Sequence, residues 1–234
     1  MLVESTTALV SVIVTVRILF CSVSNRPSEV VTGLRRIFSV PAVYSLAQRA
    51  VGAEKLRKRL VEDVLGIQAG MRILDIGCGP ADILAHFPDV DYVGFDHSES
   101  YIESARARFG DRGQFFNLSA ADVDLDDFAP RDLAMSIGVL HHLNNEEVVK
   151  AIETARAVLG DHGRFVSVDP TFAEGQHPIG RLLASRDRGQ FVRTPDEIRT
   201  LVSQVFDDVA IKVRHDMLHV PYSHVLVEAR HASS

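Results

Sequence analysis

The chain has 234 residues, 46% of them hydrophobic and 24% charged, with a formal net charge of −6. That length and apolar content suit one sizeable domain with its own core, and the acidic balance lacks the broad positive footprint on which nucleic-acid binding relies. Two cysteines, Cys21 and Cys78, exclude a disulfide framework and point to a reducing cytoplasm.

The stretch ALVSVIVTVRILF (8–20) is strongly apolar, but Arg17 interrupts it and it falls short of the ~20 residues that span a bilayer. It has neither a basic leader nor a small-residue cleavage site, so residues 1–27 read as an apolar extension rather than a signal peptide. Contact of residues 8–20 with a membrane surface is the alternative. From 28 to 66 apolar positions recur at three and four, which predicts a helical cap on a single domain running from 28 to 234. Beyond it, MRILDI (71–76), DYVGF (91–95), QFFNL (114–118), LAMSI (133–137) and RFVSV (164–168) read as strands. They alternate with the helical stretches ADILAHF, SESYIESARARF and NEEVVKAIETARAVL. Helix starts are marked by Ser98, by Asn144 with Glu147, and by Thr194-Pro195 with Glu197. This alternation predicts a mostly parallel sheet with helices on both faces. The last runs, DVAIKVRHDML and SHVLVEAR, predict an antiparallel pair joined by a tight turn at the sheet edge.

The turn in ILDIGCGPADIL (73–84) falls where an open α/β sheet binds ligands, at the carboxyl ends of its strands. Gly77 and Gly79 allow a tight turn and close approach of backbone to ligand. Asp96, closing the next strand, lies 21 residues after Asp75, near the ~20-residue offset of an acid that grips a ribose diol. A dinucleotide fingerprint needs a third glycine at position 82, where this chain has Asp82. Asp75 and Asp82 would repel a pyrophosphate and favour a cationic ligand. S-adenosylmethionine joins a nucleoside to a sulfonium and an ammonium and has that charge. An acid in a first helical turn is favourable by itself, so the argument rests on both acids together.

In this order over roughly residues 70–170, ILDIGCGPAD, YVGFDHSESYIESAR, AADVDL, DLAMSIGVLHHL and LGDHGRFVSVD resemble the successive motifs of a class I S-adenosylmethionine-dependent methyltransferase, small-molecule branch. The resemblance implies a Rossmann-like α/β fold: seven strands, mostly parallel with an antiparallel last pair, helices on both faces, and extra N-terminal helices. It implies that Asp75, Gly77 and Gly79 hold the methionine end of the cofactor, with Cys78 among the cofactor contacts; having no nearby base in sequence, Cys78 reads as a packing residue rather than a nucleophile. Asp96 takes the ribose hydroxyls and Asp122 meets the adenine, while His97, Val123, Ile137 and Gly138 are further cofactor contacts. The family often has glycine at position 81, where this chain has Ala81.

Methyl transfer is an in-line displacement, and the protein's main task is to align donor and acceptor in a dry site. His141 and His142 follow the fourth predicted strand, and His142 matches a histidine that recurs there in the family. Either suits a general base at neutral pH; the competing reading makes one a hydrogen-bonded structural histidine and the other a surface residue. His215, His219 and His224 fall on strand and turn without a matching carboxylate, so no metal is expected. The connection 169–198 is long for a compact α/β unit and holds Arg181, Arg186, Arg188 and Arg193. It predicts an anionic group on the acceptor, held by Arg188 or Arg193; the alternative is pairing with Asp187, Asp196 and Glu197. Tyr44 and Gln48, four apart on the helical cap, either line the acceptor pocket or pack within the cap. SIGVLHHL lacks the Asn/Asp-Pro-Pro-aromatic loop of amino methylases, so a small-molecule acceptor is expected. Two rivals are a nicotinamide-dependent oxidoreductase, which Asp82 opposes, and a non-catalytic S-adenosylmethionine-binding module, which the near-complete cofactor set opposes.

Overall fold

The computed structural model describes residues 52–118, 128, 130–187 and 189–231. Most of the helical cap expected over 28–66 lies outside them. Helix α1 (Ala53–Arg59) continues into one wider π-type segment, Leu60–Leu65, and turns Leu56, Leu60 and Leu65 inward. There follow β1 (Arg72–Ile76), β2 (Asp91–Asp96), α2 (Glu99–Phe109), β3 (Gln114–Asn117), β4 (Arg131–Ile137), α3 (Asn145–Val158) and β5 (Leu159–Pro170). The chain closes with α4 (Pro178–Ser185), α5 (Pro195–Val202), β6 (Asp208–Arg214) and β7 (His224–Arg230).

The strands form one seven-stranded sheet in the order β3-β2-β1-β4-β5-β7-β6. Strand β1 pairs in parallel with β2 and β4, while β7 runs antiparallel to both β5 and β6. This is the predicted Rossmann-like α/β sheet with its antiparallel closing pair. Its central strands are apolar on both faces because both faces are covered. On one side Ile73, Leu133 and Val166 pack with Ile102, Phe109 and Leu183. On the other Leu74, Ala134 and Phe165 pack with Val148 and Ile152 of α3 and Ile198 and Val202 of α5. Helices α3 and α5 open with complete capping boxes, Asn144 with Glu147 and Thr194 with Glu197. Strand order reverses between β1 and β4, and the crevice outside their carboxyl ends is the expected ligand position.

Several local expectations are corrected. ADILAHF forms a five-residue 3-10 turn, Asp82–His86, because Phe87 must turn extended ahead of Pro88. Ser98 does mark the start of α2 as its N-cap, although its hydroxyl is directed to Ser100 Oγ and makes no cap hydrogen bond. Residues 215–223, between β6 and β7, are a packed segment that buries Met217, Leu218 and Tyr222 rather than a tight turn. The connection after β5 is not structureless either. His177 accepts a hydrogen bond from the Ile179 N–H and Pro178 follows it, which together start α4.

Candidate active site

Two glycine turns meet at the β1–β4 crevice. Gly77 has φ +76° and Gly138 φ +70°, and a side chain at Gly77 would stand 2.5 Å from Val139 Cγ2. The Gly77 and Cys78 N–H groups both donate to Phe95 O, at 2.8 and 2.9 Å, which folds the loop back over β2. Gly79 then donates its N–H to Asp96 Oδ2 at 2.9 Å, and Ser98 donates to Asp96 Oδ1 at 2.8 Å. Apart from Gly79 itself and its two chain neighbours, no atom of the described residues lies within 4 Å of the place a Gly79 side chain would take. Asp96 is buried; with about four lone-pair sites on a carboxylate, it can still accept from two hydroxyls.

Asp75 lies beneath this loop and accepts a 2.5 Å hydrogen bond from the Tyr92 hydroxyl. Burial, helped by the Asp96 charge and opposed by that hydrogen bond, pushes its pKa up to about 7. Cys78 turns its side chain away from the crevice: a Cβ on Gly94 would stand 2.8 Å from its Sγ, and burial pushes the thiol up. The side chain is thus a packing group, which leaves the Cys78 backbone for any contact with a cofactor. His97 is exposed, 3.6 Å from Asp96. Asp82 is also corrected. Arg57 at 2.7 Å and Arg108 at 2.5 Å neutralise it, so its charge ties the 3-10 turn to α1 and α2 rather than facing a ligand.

The other half of the edge is built on side chains from distant segments. His141 is buried, with Nδ1 2.8 Å from Asp169 Oδ1 and Nε2 3.4 Å from Asp187 Oδ1. Its backbone N–H also reaches Asp169 Oδ1, at 3.2 Å. Burial disfavours the charged ring, but the two carboxylates outweigh it and hold the pKa up to about 9. Enclosed between two carboxylates, the ring is held by the protein itself, which disfavours His141 as the base. The partly buried His142 ring lies against it, 4.0 Å between centroids. Asp187 in turn accepts from Tyr222 OH at 2.7 Å, and His141 with burial bears on it from opposite sides, burial raising its pKa and the imidazolium lowering it to a net depression. His224 is fully buried, and burial takes its pKa down to about 4.

Arg193 is corrected too. Nε donates to Asn145 Oδ1, Nη1 to Leu140 O and Phe191 O, and Nη2 to Leu143 O and Asn145 Oδ1. A guanidinium has five N–H donors, so none is left for an acceptor. Asp122, Val123, Arg188, Tyr44 and Gln48 lie outside the described residues. A cavity of about 740 Å³ opens at the opposite, amino edge of the sheet. Its arginines are paired, Arg72 with Asp132 and both Arg164 and Arg230 with Glu228, and none of the residues above reaches it.

Residues 74–165 match the family model described as a methyltransferase domain. Those residues thus carry the methyltransferase-domain pattern. The chain is 32% identical over 130 residues to an uncharacterized 37.1 kDa protein of a Streptomyces fradiae transposon, covering 50% of this chain and 35% of that one. It is 28% identical over 126 residues to the ubiquinone/menaquinone biosynthesis C-methyltransferase UbiE of Pseudomonas putida, covering 49% of each. The chain thus spans half or less of the length of these relatives. In fold it is similar to the methyltransferase SibL in its apo form (TM-score 0.66, 16% identity, 88% of this chain and 64% of that one). Human N-acetylserotonin methyltransferase in complex with SAM is a further neighbour (TM-score 0.54, 18% identity, 84% and 61%).

The methyltransferase domain's own residues fit S-adenosylmethionine. The space over Gly79 admits a ligand against the backbone, Asp96 retains acceptor capacity for a ribose, and Asp75 is a carboxylate that gains from a nearby positive charge. Residues that sequence reasoning missed are Tyr92, Asp169, Asp187 and Tyr222. Asp169 ends the quoted FVSVD run at the carboxyl edge and so had a local signal. The partners of Asp75 and Asp187 had none, because they come from distant strands and loops.

Proposed function

We propose that this chain transfers a methyl group from S-adenosylmethionine to a small-molecule acceptor. The observation that carries the reading is the Gly77–Gly79 loop, pinned to Asp96 with open space above Gly79. When bound, the cofactor supplies a methyl carbon activated by a sulfonium. Asp96 would hold the ribose hydroxyls, the Gly77 and Gly79 backbone the methionine end, and Gly138 the wall opposite. Burial makes Asp75 reluctant to ionise, so the positive end of the cofactor favours its charged form. His142 stands on the acceptor side of the edge. We assign it the proton of any acceptor that must lose one, while His141 stays charged beneath it.

A small-molecule acceptor is supported by relatives whose names concern quinone biosynthesis and N-acetylserotonin. An anionic group on it would rest on Arg188 alone, since Arg193 has no free donor. The chain is further proposed to be a single domain over 28–234 and to work in the cytoplasm; among the described residues no helix is long and apolar enough to cross a membrane. The test is incubation of metabolite extracts with methyl-labelled S-adenosylmethionine. Label in a low-mass product supports the proposal, and His142→Ala should slow its formation by about 100-fold or more, the usual contribution of a general base. Label found only in protein or nucleic acid contradicts the small-molecule acceptor. An unchanged rate in His142→Ala removes the base and leaves alignment as the mechanism.

A further inference from the structure

The connection between β5 and α5 is fastened to the short turn after β4 at several points. Phe191 donates its N–H to His141 O at 3.0 Å. Arg193 brackets the same turn through Leu140 O at 2.8 Å and Leu143 O at 2.7 Å. Gly189 is pressed so closely on the His141 ring that a Cβ there would lie 2.0 Å from Cδ2. Asp187 adds an ionic link at this contact: its side chain is 1% exposed and points at His141 Nε2, while Asp169 of the sheet holds Nδ1. Tyr222, from the segment before β7, braces Asp187 from behind.

We propose that Asp187 is a positioning residue of the acceptor side: with Asp169 it grips the His141 ring from both edges, fastening the 171–194 connection to the sheet and fixing the ring on which His142 rests. Two carboxylates on one buried imidazolium leave it one orientation, whereas a neutral ring held only by Asp169 is free to turn about that bond. A buried charge pair also disfavours any opening of the connection that would expose one partner alone. The groups facing His141 are Asp169 from β5, Asp187 and Arg193 from the connection, His142 on its own turn, Tyr222 from the segment before β7, and His224 at the start of β7. The positive charges of His141 and Arg193 and the negative charges of Asp169 and Asp187 balance. The proposal rests on this edge being the acceptor side, and its failure is distinguishable from failure of the methyltransferase reading.

The test uses the full chain with S-adenosylhomocysteine as the probe. Imidazole nitrogen NMR should show His141 with both nitrogens protonated near neutral pH in the wild type, and Asp187→Asn should return it to a neutral ring. In the same variant, hydrogen exchange at the Phe191 amide, which Asp187 does not touch, should speed up by about tenfold or more. Exchange in β1 and β2 and affinity for S-adenosylhomocysteine should stay at wild-type values. Tyr222→Phe, which keeps both carboxylates, should move Phe191 exchange in the same direction by less, and it serves if Asp187→Asn fails to fold. An unchanged Phe191 amide together with an unchanged His141 signature in these variants overturns the proposal. A wild-type chain that ignores S-adenosylhomocysteine sinks the function instead.

Discussion

The two halves of the carboxyl edge are made in different ways. The cofactor half, Gly77–Gly79 with Asp96, is backbone geometry: positive φ values, N–H groups aimed at one carboxylate, and space where a side chain is missing. The other half, proposed above as the acceptor side, is a buried charge cluster, in which His141, Asp169, Asp187 and Arg193 come from separate segments. The first depends on backbone groups and on residues close in sequence. The second depends on every member, because removing one leaves the others buried without partners.

Removing Arg193 should produce the largest effect. Arg193→Ala leaves the Leu140 and Leu143 carbonyls without their donor and should cost about 4 kcal/mol of folding stability, read by denaturant titration, with cofactor affinity in the folded fraction intact. Loss of affinity without loss of stability would dissolve the contrast between the halves.

A pH series separates the halves further. Asp75, raised by burial to about 7, contributes stability that is full below its ordinary 3.8 and lost as pH climbs through 7. His141, raised to about 9 by its carboxylates against burial, contributes stability that is full below 6.5 and lost as pH climbs through 9. Stability should therefore fall in two steps. Saturating S-adenosylmethionine should flatten the lower step by favouring ionised Asp75, and leave the upper one; Asp187→Asn should remove the upper one alone. Thermal melts from pH 4 to 10 in both conditions check this, and a cofactor effect on the upper step would contradict it.

The smallest effect concerns Ala81, a buried non-glycine residue at φ 54°. An L-residue pays about 1 kcal/mol or more in that left-handed region. Ala81→Gly relieves it but frees the unfolded chain, and should stabilise by about 0.5 kcal/mol net. Destabilisation would mean that the Ala81 methyl packing in the core outweighs the strain.

Much of the cofactor half was legible because its signals are local. A strand with Asp75 just before its last residue, glycines two apart and an acid 21 residues on are all set by chain geometry, and the central strands announced themselves as short apolar runs. The sheet's antiparallel close was legible too, but not the way it is made, since Met217 and Leu218 read as strand yet pack beneath the connection. Charge was the weakest guide. Asp82 looked like a ligand acid and is held by Arg57 and Arg108; Arg193 looked like an anion holder and serves the protein's own carbonyls. Both are decided by contacts between residues far apart in the chain, which no spacing encodes. His141 and His142 are adjacent in sequence and alike in type, and only the carboxylates around one of them tell their roles apart.

The central claim is that the Gly77–Gly79 loop and Asp96 hold the nucleoside end of S-adenosylmethionine. Calorimetric titration of the full chain with S-adenosylhomocysteine tests it most directly, with Asp96→Ala and a nicotinamide dinucleotide as controls. The account predicts micromolar binding to the wild type, a loss of about 3 kcal/mol in Asp96→Ala as hydrogen bonds to a charged acceptor disappear, and no heat from the dinucleotide. Tight dinucleotide binding, or S-adenosylhomocysteine binding indifferent to Asp96, would contradict it.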